Sequence, residues 1–327
     1  MGAYLARAGH DVTLVDTVSE HVDAINRSGL SITGPIATFA TPMPAFTPDA
    51  LHGAWDTIIL ATKAQHTAAA ARELLPHLTQ AGYVISAQNG LNELLIAEVV
   101  GEARTVGAFV NFGADYMEPG VLLYGGRGTV MVGEAFGPPE ITPRVLSIRD
   151  AWRDFDERAT ATPNIWGYLW AKEAYGAMLF ATALTNDSIA DALARPEYRG
   201  LYIALAREIL AVARARGVRP EAFDGFDPGA YMPDAPAGAA AQSLDGLVAH
   251  NRKSAKTHSG IWRDLAIRKR PTEVDAQLGI VVRLGSEAGV ASPLTAAMVD
   301  LIHEIERGTR VQSMEALDAL AAVMPAA

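Results

Sequence analysis

The stretch GAYLARAGHDVTLVD, residues 2–16, decides the fold of the N-terminal half. Residues 2–9 have the composition of a short helix that ends at Gly9, and residues 11–16 resemble a buried strand that ends on an acid. A glycine that opens a helix, followed by a strand with a terminal acid, is typical of the second half of a dinucleotide-binding motif. In that motif Gly2 allows the helix to pack closely on its strand, and Asp16 hydrogen-bonds a ribose 2′-hydroxyl. The alternative is that Gly2 merely starts the chain and Asp16 caps the next helix.

The complete motif has a strand and two more glycines ahead of the glycine that corresponds to Gly2. Neither is in this sequence, so we expect an N-terminally truncated motif that starts at its last glycine. Backbone N–H groups of the phosphate-binding turn normally hold the pyrophosphate. A non-catalytic fragment with poor cofactor affinity is therefore an open alternative.

Apolar runs continue along the first half and alternate with helical patterns. We predict strands at 56–62 and 83–87, each followed by a helix, at 66–78 and 91–100. This alternation indicates an α/β fold, a Rossmann-type doubly wound parallel sheet whose first strand is missing. The remaining expectations for residues 1–163 are a helix at 18–28 with Ser19 as N-cap, edge strands or a β-meander within 104–135, and a helix at 140–156.

The second half of the sequence has mostly helical patterns, and we therefore place the domain boundary near residue 163. Residues 1–163 are then a dinucleotide-binding domain, and residues 164–327 are an all-helical substrate and catalytic domain. The Pro- and Gly-rich segment 218–239 is predicted to be a loop or lid. The predicted helices of this half are 165–185, 196–216, 240–258, 272–288 and 294–308.

Composition excludes several classes of function. The chain of 327 residues has a formal net charge of −10 and no basic block, so neither nucleic acid nor an anionic membrane is an expected partner. It has no Cys, which excludes disulfides, thiolate nucleophiles and Cys-based metal sites and is consistent with a cytoplasmic location. The eight His form no close ligand pair, and we predict no metal.

Four polar residues are candidates for chemistry, each with an ordinary structural alternative. Lys63 and Asn89 follow two predicted strands, at the sheet edge where doubly wound folds bind ligands, but they also suit a solvated strand exit and an Asn-Gly turn. Lys172 lies in the aromatic helix IWGYLWAKEAYGAML, where desolvation would lower its pKa, unless it snorkels to solvent. Glu273 is either a site acid or a first-turn acid of a helix in which Thr272 and Asp275 form a capping arrangement.

The sequence resembles the ketopantoate reductase (2-dehydropantoate 2-reductase) family over nearly its whole length. The resemblance depends on the order and spacing of several short pieces, since none of them is specific alone. These pieces are the half-motif at Gly2, LATKAQ (60–65), QNGLNE (88–93), EPGVLLYGGRGTVMVGE (118–134), LWAK (169–172), RPTEVD (270–275) and GVASP (289–293).

This resemblance implies an NAD(P)-dependent reduction of a 2-keto acid in pantothenate biosynthesis, with a homodimer expected from relatives. It implies that Lys172 protonates or hydrogen-bonds the substrate carbonyl oxygen and that Glu273 supports this Lys and the substrate. Asn89 would hold Lys172 and the cofactor in register, and Lys63 would contact the cofactor. Ser259 falls near the Ser that contacts the substrate carboxylate, although the spacing to RPTEVD is one residue longer than usual.

Departures from the family pattern concern mainly the substrate and the choice of cofactor. The family usually has two Asn after the catalytic Lys, where this chain has Gly176 and Phe180. A pocket that loses a buried polar group selects less strongly for the matching hydroxyl, so a bulkier or more apolar keto acid is an open alternative.

Asp16 replaces the usual basic residue and would repel a 2′-phosphate, which favours NAD over NADP. An NAD-dependent D-2-hydroxyacid dehydrogenase of the mandelate type is the second candidate function. A 6-phosphogluconate-type dehydrogenase is disfavoured by RPTEVD.

Overall fold

A computed structural model of the protein describes residues 1–253 and 257–324, which form two compact units. The N-terminal unit comprises Met1–Thr62, His66–Gln88 and Glu93–Ile165. The C-terminal unit begins at Trp166 and also includes Lys63–Gln65 and Asn89–Asn92. The division thus differs from a single boundary at residue 163, because two short segments that follow strands belong to the C-terminal unit.

The N-terminal unit is built from short strands and flanking helices. Strands β5, β6 and β7 run parallel, and β10 joins β7 antiparallel, in a five-stranded sheet of order β11-β10-β7-β6-β5. A four-stranded sheet has the order β3-β2-β9-β8, and β1 pairs with β4 in parallel. The strands are β1 (Leu14–Val15), β2 (Leu30–Thr33), β3 (Phe39–Thr41), β4 (Ala45–Phe46), β5 (Trp55–Leu60), β6 (Leu78–Ser86), β7 (Thr105–Val110), β8 (Gly113–Glu118), β9 (Val121–Gly126), β10 (Val130–Glu134) and β11 (Thr160–Ala161).

Helices cover the sheets and bury their apolar faces. Val84, Ile85 and Val106 of the central strands are almost completely buried, as expected for parallel strands covered on both faces. The helix Pro143–Trp152 (α5) begins with a regular N-cap, in which the Thr142 hydroxyl accepts the N–H of Val145 at 3.2 Å. The helices of this unit are α1 (Gly2–Arg7), α2 (Ser19–Ser28), α3 (Thr67–Leu74), α4 (Glu93–Val100) and α5 (Pro143–Trp152).

A cavity of about 870 Å³ lies in the N-terminal unit, between β1 and β5. These two strands belong to separate sheets and are not hydrogen-bonded to each other. The cavity walls include Leu14 and Val15 from β1 and Ile58 and Ile59 from β5. Val15 is 39 % exposed and forms part of the cavity wall.

Most of the predicted elements of the N-terminal half are present, with three corrections. The strand predicted over 11–16 is reduced to the two residues of β1, because only Leu14 and Val15 pair with β4. Ser19 is not an N-cap: Val18 occupies that position and Ser19 is the first helical residue. The region 104–135 is not confined to sheet edges, since β7 is central in the five-stranded sheet while β8 and β9 form an antiparallel pair elsewhere.

The C-terminal unit is helical. The segment 218–239 is a loop with one 3₁₀ turn at Pro228–Tyr231, as predicted. The helix predicted over 240–258 is described as α9 up to Lys253, and its residues 254–256 lie outside the described residues. The helices are α6 (Ile165–Thr182), α7 (Ile189–Ala194), α8 (Arg199–Ala215), α9 (Ala239–Lys253), α10 (Gly260–Trp262), α11 (Ile280–Glu287), α12 (Pro293–Glu306) and α13 (Met314–Ala321), with π-helical turns at Arg263–Arg268 and Asp275–Gly279.

Helix α6 is apolar on nearly all sides and forms the centre of this unit. Ala171, Ala174, Ala177, Met178 and Ala181 are all fully buried. An α-helix of this kind is a core element rather than a surface one. Even so, neither α6 nor any other helix in the described ranges combines the length and hydropathy needed to cross a membrane.

Candidate active site

Both oxygens of the Glu273 carboxylate are occupied by the segment that follows β5. Lys63 Nζ donates to Glu273 Oε2 at 2.7 Å, and the backbone N–H of Ala64 donates to Glu273 Oε1 at 2.7 Å. The sequence predicted that Lys63 and Glu273 belong to one site, and the structure brings them into direct contact across 210 residues. Glu273 was expected to support Lys172, whereas its hydrogen bonds go to Lys63 and Ala64.

A second buried acid, Asp264, shares Lys63. Lys63 Nζ lies 3.3 Å from Asp264 Oδ2, while Arg268 and Arg270 donate to Asp264 Oδ1 at 3.0 and 2.9 Å. Burial acts to raise the pKa of Asp264, but the charge of Lys63 and the hydrogen bonds from the two Arg outweigh it and lower that pKa. Asp264 is therefore an anion whose charge is balanced by three cations.

Lys172 and Asn89 form the second pair of the site. Lys172 Nζ donates to Asn89 Oδ1 at 2.7 Å, which confirms the expected proximity of these two residues. The Asn89 backbone is held in turn by Asn92, whose Nδ2 donates to the Asn89 carbonyl at 2.6 Å. Gly90 has φ +106°, and a Cβ there would lie 3.3 Å from the Ala276 carbonyl oxygen. Only glycine combines this backbone conformation with so close an approach.

Glu173, the residue after the candidate catalytic Lys, is completely buried. Burial raises the pKa of Glu173 to about 8; Glu273 also raises it, while the charge of Lys172 and a hydrogen bond from the Gly90 backbone lower it. One carboxyl oxygen, Oε2, has no hydrogen-bond partner within the described residues. At neutral pH the Glu173 carboxyl is therefore mostly protonated, and its bond from Gly90 ties α6 to the turn that presents Asn89.

Gly176 and Phe180, the two positions of α6 where the family usually has Asn, differ in their burial. The ring of Phe180 is fully buried, so it contributes to the core of the C-terminal unit and not to an accessible surface. A side chain with no accessible surface does not support the expectation that Phe180 is one of the residues that bind the substrate. Gly176, in contrast, is only half-buried, and the one atom within 4 Å of a Cβ built there is Gln277 Oε1, at 3.9 Å.

Ser259 and Thr272 are both buried, and both bind backbone groups. Ser259 Oγ accepts the N–H of Trp262 at 3.1 Å and caps α10. The expected capping pair of Thr272 and Asp275 is wrong: Thr272 Oγ accepts the Val274 N–H at 3.2 Å and donates to Glu306 at 2.8 Å. Glu273 is consequently not needed as a first-turn acid, and its carboxylate is directed to the Lys63 segment.

The N-terminal unit contains the other predicted residues. A Cβ at Gly2 would lie 3.3 Å from Leu14 Cδ2, so glycine is what allows α1 to pack this closely on β1. Asp16 follows β1 at its carboxyl end, is exposed, and accepts the Val18 N–H at 2.8 Å through Oδ1. Gly2 and Asp16 both line the cavity between β1 and β5. These features are compatible with the adenosine half of a dinucleotide. No group of His, Asp and Glu within the described ranges could hold a metal ion.

Known protein families account for both halves of the chain. The family "Ketopantoate reductase PanE/ApbA" matches residues 1–137, and "Ketopantoate reductase PanE/ApbA C terminal" matches residues 164–306. The chain belongs to the ketopantoate reductase family. The resemblance inferred from the short motifs is thereby confirmed.

Relatives named 2-dehydropantoate 2-reductase match at moderate identity. The protein from Pyrococcus horikoshii is 34 % identical over 178 residues, and this match spans just over half of each chain, 53 % of this one and 55 % of the relative. The protein from Archaeoglobus fulgidus is 26 % identical and matches over 94 % of both chains. Among solved structures, a PanE/ApbA family ketopantoate reductase from Ralstonia eutropha has a TM-score of 0.77 at 24 % identity, with 94 % of each chain covered. A D-mandelate dehydrogenase has a TM-score of 0.80 at 20 % identity and the same coverage. These structures establish the shared fold.

Asp264 and Glu173 are the site residues that the sequence analysis missed. Glu173 carries a usable signal, because it is the only acid in an otherwise apolar helix and lies beside the candidate catalytic Lys. Asp264 directly follows Arg263 and comes four residues before the basic run Arg268–Arg270, and such a charge pattern is equally typical of a solvated surface segment.

Proposed function

We propose that the protein reduces a ketopantoate-like 2-keto acid to the 2-hydroxy acid with hydride from NAD(P)H. The observation that carries this proposal is the 2.7 Å contact of Lys172 Nζ with Asn89 Oδ1, in a C-terminal unit that also holds the Lys63–Glu273 pair. The names of the full-length relatives support the reaction class.

Lys172 is the proton donor of the proposed reaction. A reduced nicotinamide, when bound, supplies the hydride that converts the keto carbon to the alcohol carbon. Lys172 hydrogen-bonds the carbonyl oxygen, stabilises the negative charge that develops there and transfers a proton to it. Asn89 orients the Lys172 ammonium through its side-chain oxygen. One hydride and one proton are thus added across the C=O bond.

Ser259 and Lys63 are proposed to bind the two ligands. Ser259 Oγ accepts from the Trp262 backbone, so its own hydrogen is available to donate to a substrate carboxylate. Lys63 is proposed to contact the cofactor, with Glu273 and Asp264 holding its ammonium group in place. Glu273 acts in this arrangement as a positioning residue for the Lys63 segment.

NADH is the proposed cofactor in preference to NADPH. Asp16 is exposed at the carboxyl end of β1, where an acid can hydrogen-bond a ribose 2′-hydroxyl and would repel a 2′-phosphate. Two solved D-mandelate dehydrogenase structures of similar fold contain NADH.

A mandelate-type D-2-hydroxyacid dehydrogenase is the second candidate function. The observation that favours it is Gly176, because the missing side chain leaves room beside Lys172 on the same helix face. A benzoylformate substrate would use that room for its ring, whereas ketopantoate would place its hydroxymethyl group there.

The proposal is tested by steady-state turnover of ketopantoate and of benzoylformate, each with NADH and with NADPH. Lys172→Ala is expected to lower kcat by a factor of about 10² to 10⁴, because it removes the general acid. The matched control is Lys253→Ala, which removes an exposed Lys from the last turn of α9. Activity of Lys172→Ala near that of the control would overturn the assignment, and failure of the unmodified protein to bind either cofactor would overturn the proposed function.

A further inference from the structure

Glu173 is a buried acid that the proposed reaction leaves without a role. It is only 2 % exposed, and it is the only acid in the apolar helix α6. Its Oε2 has no hydrogen-bond partner within the described residues. A buried carboxyl whose hydrogen-bonding capacity is not used lowers stability, and ionisable groups in such surroundings are concentrated at functional sites. The position of Glu173, directly after Lys172, relates it to the candidate active site.

Two charged groups on different segments act on the Glu173 carboxyl. The positive charge of Lys172, on the same helix, favours the ionised carboxyl, whereas the negative charge of Glu273 favours the protonated one. The Gly90 backbone N–H, in the turn that presents Asn89, also favours the ionised form through a hydrogen bond. Burial outweighs both contributions to ionisation, so the carboxyl keeps its proton at neutral pH and loses it in the alkaline range.

The interaction between Glu173 and Lys172 is reciprocal. Because the Lys172 ammonium favours the ionised carboxyl, the ionised carboxyl favours the ammonium by the same free energy. Ionisation of Glu173 therefore places a negative charge beside Lys172 and makes the Lys172 proton harder to remove. For neighbouring charges in a poorly solvated site, an effect of about one pH unit on that proton is expected.

We infer that Glu173 acts through Lys172: the carboxylate that forms at this buried position in alkaline solution holds the proton on the Lys172 ammonium. This inference rests on the proposed function, in which Lys172 is protonated when a keto acid is reduced and neutral when a hydroxy acid is oxidised. Glu173 is thus a positioning residue that sets the pH range of the reaction in both directions. It transfers no proton to the substrate itself.

The kinetic test follows both directions of the reaction across pH 6 to 10 in Glu173→Gln, which keeps an oxygen for the Gly90 N–H but cannot ionise. The alkaline decline of kcat for reduction is expected to begin about one pH unit lower than in the unmodified protein. In the reverse reaction, kcat for oxidation of the 2-hydroxy acid is expected to rise at a pH about one unit lower. A purely structural role would lower both rates without moving either midpoint, and unmoved midpoints would overturn the inference.

Two further variants separate the charge of Glu173 from its shape and from the net charge of the protein. Glu173→Leu also removes the charge, and buried acids are often replaced by apolar residues without loss of folding, so it is expected to move both midpoints in the same sense. Glu197→Gln removes an exposed acid of the same unit, 3.5 Å from Arg195, and is expected to move neither. A shift in Glu197→Gln equal to that in Glu173→Gln would overturn the inference.

Chemical labelling of Lys172 measures the same effect without turnover. Acetic anhydride reacts with the neutral amine only, so the extent of acetylation of the Lys172 peptide, read by mass spectrometry across the same pH range, reports where Lys172 loses its proton. The midpoint in Glu173→Gln is expected to lie about one pH unit below that of the unmodified protein. Equal midpoints would contradict the role of Glu173, whereas a lowered midpoint in a protein without reductase activity would support it and contradict only the proposed function.

Discussion

The acid–base cluster of the C-terminal unit and the cavity of the N-terminal unit differ in how many of their polar groups are hydrogen-bonded within the protein. The cluster consists of Lys63, Asn89, Lys172, Asp264 and Glu273. In the cluster, Glu273 is bonded at both oxygens and Lys172 is oriented by Asn89. The cavity between β1 and β5 is mainly apolar, and Asp16 is one of the few charged groups on its walls. The group that is proposed to donate the proton is therefore held in place by protein contacts, whereas the wall that is proposed to receive the cofactor depends on shape and on an exposed acid.

After the loss of Lys172 itself, the largest expected effect comes from breaking the cluster at Glu273. Glu273→Ala removes the partner of Lys63 and leaves the Ala64 N–H without its acceptor, so the segment that follows β5 loses its anchor. We expect kcat/KM to fall by a factor of about 10² or more, which is comparable to the loss of a positioned catalytic group. Steady-state kinetics with saturating cofactor measure this change.

Glu273→Gln is the informative comparison for that variant. This variant keeps an oxygen for the Ala64 N–H but removes the charge that attracts Lys63. Its activity should therefore lie between that of Glu273→Ala and that of the unmodified protein, and the change should appear mainly as a higher KM for the cofactor. Equal activity of Glu273→Ala and the unmodified protein would show that the Lys63 anchor is irrelevant to catalysis.

The same cluster shows what sequence patterns can and cannot predict. The positions of Lys63 and Asn89 at strand ends were predictable, because parallel strands of a doubly wound sheet place their carboxyl ends at one edge. The partner of Lys63 was not, since Glu273 is 210 residues away and local periodicity contains no information about such pairs. Glu173 was overlooked although its apolar neighbours in α6 indicate burial, and the structure shows that this burial is nearly complete.

The fold shows a similar limit. Long apolar runs predicted β5, β6 and the helix α6, whose extents agree with the structure to within a few residues at most ends. Strands β2, β3 and β4 were missed because they have two to four residues and depend on pairing with β9, β2 and β1. Such short strands have too few residues for an alternating pattern, so tertiary contacts define them.

A smaller effect, on stability, is expected at Glu173. Burial raises the pKa of this carboxyl to about 8 in the folded protein, whereas the pKa of a Glu in the unfolded chain is near 4.5. Between these values the folded state binds more protons, so stability falls as pH rises, by up to about 1.4 kcal/mol per pH unit.

Glu173→Gln removes this titration and keeps an oxygen for the Gly90 N–H. We expect the variant to unfold at higher denaturant concentration than the unmodified protein at pH 8, and at nearly the same concentration near pH 4.5. Denaturant unfolding across this pH range measures the difference. A constant difference at all pH values would show that the Glu173 carboxyl is not protonated in the folded protein.

The smallest effect is expected at the exposed acid of the N-terminal unit. Asp16→Asn keeps an acceptor for the Val18 N–H but removes the negative charge that would repel a 2′-phosphate. Because Asp16 is exposed and screened by solvent, we expect the ratio of kcat/KM for NADH to that for NADPH to fall by only about tenfold, which corresponds to roughly 1.4 kcal/mol. The matched control is Asp11→Asn, an exposed acid ahead of β1 that also lines the cavity and has no proposed role at the ribose. A strong NADPH preference in the unmodified protein would contradict the role of Asp16. An equal shift in both variants would mean that the general negative charge of the cavity, and not the acid at the end of β1, determines which cofactor binds.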